Sequence, residues 1–257
     1  MKASFVDFLR KRKRFNSWPI MHQNWHDLLF LHWALPPELV RPSLPKGIWL
    51  DTYDDKAWMA IVPFWMSKVR PHGLPAVPGL SHFSEMNLRT YVVDAQGRSG
   101  VWFFSLECDN PLAVWVARHV FHLNYQRASL SCQFAVDGTI TYHWKREYSR
   151  ANQTSLQSQF IYRGRGGARQ AAPDTLEYFL LERYRLFCVG TKGLYTGEIS
   201  HAPYSYQDVS LSAYDDSLFE VNGFTRPKRP PDHVCYAQQQ RVDIFPLRKC
   251  SCETELN

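Results

Sequence analysis

Three polar side chains stand at alternate positions of the segment 83–93 (FSEMNLRTYVV): Glu85, Asn87 and Arg89, with Tyr91 two residues further on. In an extended chain successive side chains point to opposite faces. These four therefore share one face, and Met86, Leu88, Thr90 and Val92 share the other. A carboxylate, an amide and a guanidinium in file suit acid–base work on a small acid. A carboxyl group in an apolar enclosure stays protonated toward neutral pH, where it can give or take a proton. An arginine grips a carboxylate with two parallel N–H donors. The same alternation also describes a sheet with one wet face, in which glutamate and arginine pair only to fix strand register. Both readings share one period, and periodicity leaves both open.

The elements that must position this face are marked by their punctuation. Residues 25–33 (WHDLLFLHW) predict a strand that ends at Pro36-Pro37, and 56–69 (KAWMAIVPFWMSKV) predict another. Residues 70–81 (RPHGLPAVPGLS) are too rich in proline and glycine for a helix and are expected to lie over a cavity mouth. A turn at Asp94-Ala95-Gln96-Gly97 leads into a strand at 100–107, so 83–107 reads as a hairpin. Asn110-Pro111 opens a helix expected over 111–122, with proline in its first position. A second hairpin spans 129–147 and turns at Asp137-Gly138.

Beyond a polar loop at 150–158, residues 163–169 (RGRGGAR) read as a flexible turn, because no strand–turn–helix context supports a phosphate loop. A helix is expected over 174–188, with Asp174 as N-cap, Glu177 three residues on, and Leu176, Phe179, Leu180 and Tyr184 along one side. Strands follow at 193–200, 206–212 and 233–247. Many strands, hairpin connections and two marked helices favour a barrel or sandwich with helices packed outside.

Composition narrows the partners. The chain has 257 residues, 45% hydrophobic and 15% aromatic, enough for one well-packed, β-leaning domain. Of the net charge of +6, the first 14 residues carry +5, in Lys2 and the run Arg10 to Arg14 against Asp7. The body is nearly neutral, which argues against a nucleic-acid partner. The basic run follows Phe5, Phe8 and Leu9 and reads either as a solvated terminus or as a membrane-surface segment. No apolar run approaches the roughly 20 residues of a membrane span, and no secretory signal is evident, so a cytoplasmic protein with reduced thiols is expected. His233, Cys235, Cys250 and Cys252 lack the CxxC spacing of a zinc set, and neither metal nor cofactor is expected. The aromatic surplus leaves a homo-oligomer open.

The stretch from Ala117 to Ala128 (ARHVFHLNYQRA) resembles the acetoacetate decarboxylase family, where a helix end carrying an arginine runs into a lysine-bearing turn. Arg118 falls on that arginine, Tyr125 on the Schiff-base lysine and Gln126 on the neighbouring lysine. Asn124 stands where a proline is usual. Residues 29–45, Glu85 and the segment Ile199 to Tyr204 resemble further landmarks in the same order. A still nearer resemblance is to the YqjF-like family of uncharacterised bacterial proteins. It is carried by Leu31-His32-Trp33, the segment Phe83 to Val92, Ala117-Arg118, Tyr125 to Ala128, Glu182-Arg183-Tyr184 and His201-Ala202-Pro203.

The resemblance implies a β-rich α+β fold, a closed cone-shaped antiparallel β-barrel of the acetoacetate decarboxylase-like type with a few helices packed outside. That domain would span 23–248, between a basic segment at 1–22 and a tail at 249–257. It does not imply decarboxylation, because neither Tyr125 nor Gln126 forms an imine with a keto acid. It implies a small organic acid or carbonyl ligand. Glu85, Tyr125 and His201 are then the candidate catalytic groups, with Tyr125 donating to an oxyanion or enolate. Arg89, Arg118, Asn87 and His32 are the candidate binding groups. Two functions remain: a lyase, isomerase or hydrolase working by acid–base chemistry, or a protein that only binds or senses a small hydrophobic acid.

Overall fold

The computed structural model describes residues 17–146 and 156–250. The basic run Arg10 to Arg14 and Cys252 lie outside them. The first long strand, β1 (Met21–Leu35), begins with polar residues and is apolar on both faces only in its second half. There Leu29, Leu31 and Trp33 enter one core and Leu28 and Phe30 another. After a short helix α1 (Pro37–Val40) and strand β2 (Ile48–Leu50) comes β3 (Ala57–Pro71), which pairs antiparallel with β1 and is apolar on both faces in the same way. Asp27 in β1 and Lys68 in β3 take positive φ where the β1–β3 register slips, so the pair bends.

The expected hairpin is present as β4 (Phe83–Asp94) and β5 (Ser99–Cys108). Its turn is tied by Asp94, whose carboxylate accepts from the backbone N–H of Gln96 and Arg98. Helix α2 (Pro111–Val120) starts as expected. Asn110 caps it by accepting from the amides of Leu112 and Ala113. A three-residue strand β6 (Tyr125–Arg127) then lies parallel to β5, and the second hairpin follows as β7 (Ser129–Phe134) and β8 (Ile140–Arg146).

Two sequence expectations fail in the second half. Residues 163–169 are no flexible turn but the end of a long strand, β9 (Leu156–Arg169), paired with β8 and with β12 (Tyr206–Ala213). Helix α3 covers only Leu176–Leu181, and its N-cap is Thr175, whose hydroxyl accepts from the Tyr178 amide. The helical spacing at 174–188 ends where Arg183 turns back to donate from Nε to the Phe179 carbonyl, 2.6 Å away. Residues beyond it form β10 (Arg185–Gly190), which docks against β5 and β11 (Gly193–His201); sheet pairing overrides local propensity here.

The chain closes with helix α4 (Ser217–Val221), β13 (His233–Ile244) and the short β14 (Arg248–Lys249). The pairing path runs β11-β10-β5-β4-β3-β1-β13, and β11 also pairs with β13, so these seven strands form a ring of pairings. The ring is antiparallel except between β5 and β10, and β6 also joins β5 in parallel, so the all-antiparallel expectation is corrected. Strands β12, β9, β8 and β7 continue from β13 and cover one outer face. Trp33, Trp144, Tyr142 and Tyr162 fill the space between. No described helix is long and apolar enough to cross a membrane.

Candidate functional site

The ring surrounds a cavity of about 360 Å³. Every ring strand supplies wall: Leu28 from β1, Phe64 from β3, Glu85 from β4, Phe103 from β5, Arg185 from β10, Ile199 from β11 and Ile244 from β13. Helix α2 adds Ala113 and Ala117, and the loop at 70–81 adds Pro75, Val77 and Leu80, as expected of a segment over a cavity mouth. Most of the wall is apolar, and the polar groups within it are few and specific.

Glu85, Asn87 and Arg89 all reach this wall, so the face read from alternation is the cavity face. Glu85 is only 4% exposed. Its Oε2 accepts from the Tyr125 hydroxyl at 2.5 Å, and the Asn87 amide also donates to its carboxylate. Burial dominates these two bonds and raises the carboxyl to about 7. The Tyr125 hydroxyl is pushed up in turn, first by burial and then by the nearby carboxylate.

The Asn87 amide oxygen is buried with no partner. Arg89 makes no ion pair with any described carboxylate. Its guanidinium carbon lies 5.5 Å from the Phe30 ring and 5.7 Å from the Tyr91 ring, and its Nε is buried without an acceptor.

Tyr125 reaches Glu85 because β6 runs beside β5 with Tyr125 opposite Leu106. Asn124, where proline was expected, donates from its side chain to the Phe104 carbonyl and so fixes the start of this strand. Arg118 is exposed and absent from the cavity wall, which corrects its reading as a ligand clamp. It projects from the outer side of α2, and its Nε donates to the Tyr125 carbonyl at 2.6 Å.

The two candidate histidines also stand back from the wall. His32 is fully buried, with Nε2 3.0 Å from the Tyr91 hydroxyl and Nδ1 3.1 Å from His233 Nδ1. Burial, then His233 and Arg89, hold its pKa well below the usual imidazole range. His201 lies at the seam between β11 and β13. Its Nδ1 sits 2.8 Å from the Ala202 carbonyl, and its ring stacks on Tyr184 at 4.4 Å between centroids. Burial lowers its pKa. A ring committed to backbone carbonyls positions the seam and has no face toward a ligand.

Sequence reasoning missed Arg183, Arg185 and Tyr204 as wall residues. Arg183 pairs with Asp51 at 2.5 Å and Arg185 with Glu198 at 2.7 Å, so each carries its own counter-ion. Their signal was hidden because 174–188 reads as a helix. No lysine lines the cavity among the described residues. Nor do His233, Cys235 and Cys250 gather: Cys235 and Cys250 pack into separate core clusters.

A family model described as an uncharacterized conserved protein, DUF2071, matches residues 22–241. The chain belongs to this family. Over 232 residues it is also 37% identical to the uncharacterized protein YqjF of Bacillus subtilis, covering 90% of this chain and 93% of that one. Among solved structures, the DUF2071 chain superposes on the enduracididine biosynthesis enzyme MppR complexed with pyruvate. That match has a TM-score of 0.60 and 12% identity and covers 92% of each chain. The acetoacetate decarboxylase of Legionella pneumophila matches with a TM-score of 0.58 and 12% identity over 97% of this chain and 98% of that one. An acetoacetate decarboxylase-like enzyme from Sphingomonas wittichii does so with 0.58 and 9%. At such identities the likeness establishes the mostly β, acetoacetate decarboxylase-like fold.

Proposed function

We propose that the ring of strands is a closed barrel whose cavity binds a small organic acid or carbonyl compound and moves a proton on it by acid–base chemistry. The observation that carries this reading is Glu85: a buried carboxyl near its neutral-pH midpoint, in the cavity wall, held by Tyr125 and Asn87 and by no arginine. A glutamate serving only as scaffold would be locked ionised by a cation. This one can exchange its proton. Arg89, with no carboxylate of its own among the described residues, is the anchor for a ligand carboxylate. Tyr125 hands its hydroxyl proton toward an oxygen that gains charge, or keeps Glu85 oriented between turnovers.

A Schiff base plays no part in this reading, since no lysine lines the wall among the described residues and Tyr125 occupies the matching position. The pyruvate bound by MppR favours a keto acid as the first compound to try. The described cysteines are free thiols, in keeping with a reducing compartment.

A binding-only role has one observation in its favour: the Tyr125 bond already occupies the carboxyl oxygen that a reacting group must reach. Proton exchange into a series of keto acids that starts at pyruvate and runs to longer members with the ketone remote from the carboxylate, followed by NMR in D₂O, separates the two. The acid–base reading expects wild type to accelerate C–H exchange and Glu85→Gln to lose about a hundredfold or more. Acids that bind without exchange would make this a binding protein.

A further inference from the structure

The three groups on β4 stand at two-residue intervals, about 6.6 Å apart along the strand and about 13 Å from first to last. At one end is Arg89, a cation with no described counter-ion and an Nε that meets no acceptor. At the other end is the Glu85–Tyr125 pair. Between them is Asn87, a wall residue 3% exposed, whose amide nitrogen serves Glu85 while its oxygen is buried with nothing to accept from. A buried amide oxygen without a donor costs free energy that a ligand N–H or O–H recovers. Most of the remaining wall is apolar, with Phe64, Phe103 and Leu186 around the polar file, and the wall arginines Arg183 and Arg185 carry their own counter-ions.

We infer that the ligand is an elongated monocarboxylic acid with an apolar skeleton and a hydrogen-bond donor, hydroxyl or N–H, set back from the carboxylate by about the Arg89-to-Asn87 spacing. This rests on the anion-binding reading above and extends it. A two- or three-carbon acid held by Arg89 leaves the Asn87 oxygen unmet and stops short of Glu85. A longer one engages all three, and its reacting atom is then remote from its carboxylate.

Two matched pairs of probes test this by calorimetry: 4-hydroxyphenylacetate against phenylacetate, and 6-hydroxyhexanoate against hexanoate. The wild type is expected to bind at least one hydroxylated member about tenfold more tightly than its partner. Asn87→Leu should bring that ratio to near one, while Arg89→Gln weakens both members alike. Equal affinity of both members of both pairs for wild type, with both lost in Arg89→Gln, overturns the donor assignment and leaves the anion reading standing. Should none of the four acids bind wild type, the anion reading fails and takes this inference with it. Because the wild-type ratio alone decides, a poorly folded Asn87→Leu does not block the test. A ratio that persists in a folded Asn87→Leu counts against Asn87 as the acceptor.

Discussion

The Arg118 guanidinium holds the carbonyl oxygen of Tyr125 at 2.6 Å from outside the cavity, and the hydroxyl of that tyrosine reaches Glu85 inside it. A surface side chain thus sets the height of a buried one through a three-residue strand. Arg118→Ala should cost about 1 kcal/mol of stability, the value of one exposed hydrogen bond. Its effect on keto-acid exchange should be several-fold and should vanish in a Tyr125→Phe background. A double-mutant cycle on the exchange rate checks this, and additive losses would mean that Arg118 acts elsewhere.

Glu85 should leave a mark on stability against pH. Its folded pKa of about 7 lies above the unfolded value of 4.5, so the native state holds the proton more tightly. The contribution is full below pH 4.5 and is lost as pH rises toward 7, about 3 kcal/mol in all. Glu85→Gln, which cannot ionise, should therefore gain on wild type between pH 5 and 8 by that order. Urea titrations at both ends of the window measure it, and parallel curves would refute a buried carboxyl.

Buried histidines act with the opposite sign. His32, His201 and His233 all have pKa values lowered by burial, so the unfolded chain takes up protons first as pH falls below 6.5. Their share of stability is present above that value and is lost on acidification. Removing the Glu85 contribution should expose this: Glu85→Gln is expected to lose stability steadily from pH 7 to pH 5. A flat profile in that variant would mean that folding does not lower these histidine pKa values.

The exclusion of a Schiff-base route gives a simple negative. Wild-type protein mixed with pyruvate and treated with borohydride should keep its mass in intact-protein spectra. A covalent adduct mapped to a cavity peptide would contradict the assignment of Tyr125 and Glu85.

One glycine holds the parallel seam. A Cβ on Gly100 would stand 2.7 Å from the backbone oxygen of Arg185, which cannot move without parting β5 from β10. Gly100→Ala should cost about 2 kcal/mol and loosen the wall that Arg185 lines. A melting temperature within a degree of wild type would show that the seam gives way easily.

Much of the site was legible in sequence because period-two alternation is a property of local backbone geometry. Glu85, Asn87 and Arg89 were placed on one face, and they line one cavity. Arg183 and Arg185 were not legible. The string 174–188 has helical spacing through Leu180, and only pairing with β5 and β11 makes its second half a strand. Arg118 fell on a family arginine, yet the residue type could not say whether it faced inward or only braced the backbone. A ring of strand pairings was expected only through the family resemblance, since the contact between Ile199 and Ile244 joins segments with no local signal for each other.

Met21 stands opposite Ile244, so the first strand of the ring waits for one of the last. During synthesis the apolar stretches of β1 and β3 must leave the ribosome long before β13 exists to pair with β1. Pairings this distant in the chain form slowly, and the interval exposes aggregation-prone strands. Stop codons placed before residue 233 should therefore yield insoluble or rapidly degraded nascent chains, not a smaller folded core. A cavity walled by seven strands is thus left open on one side until β13 is translated.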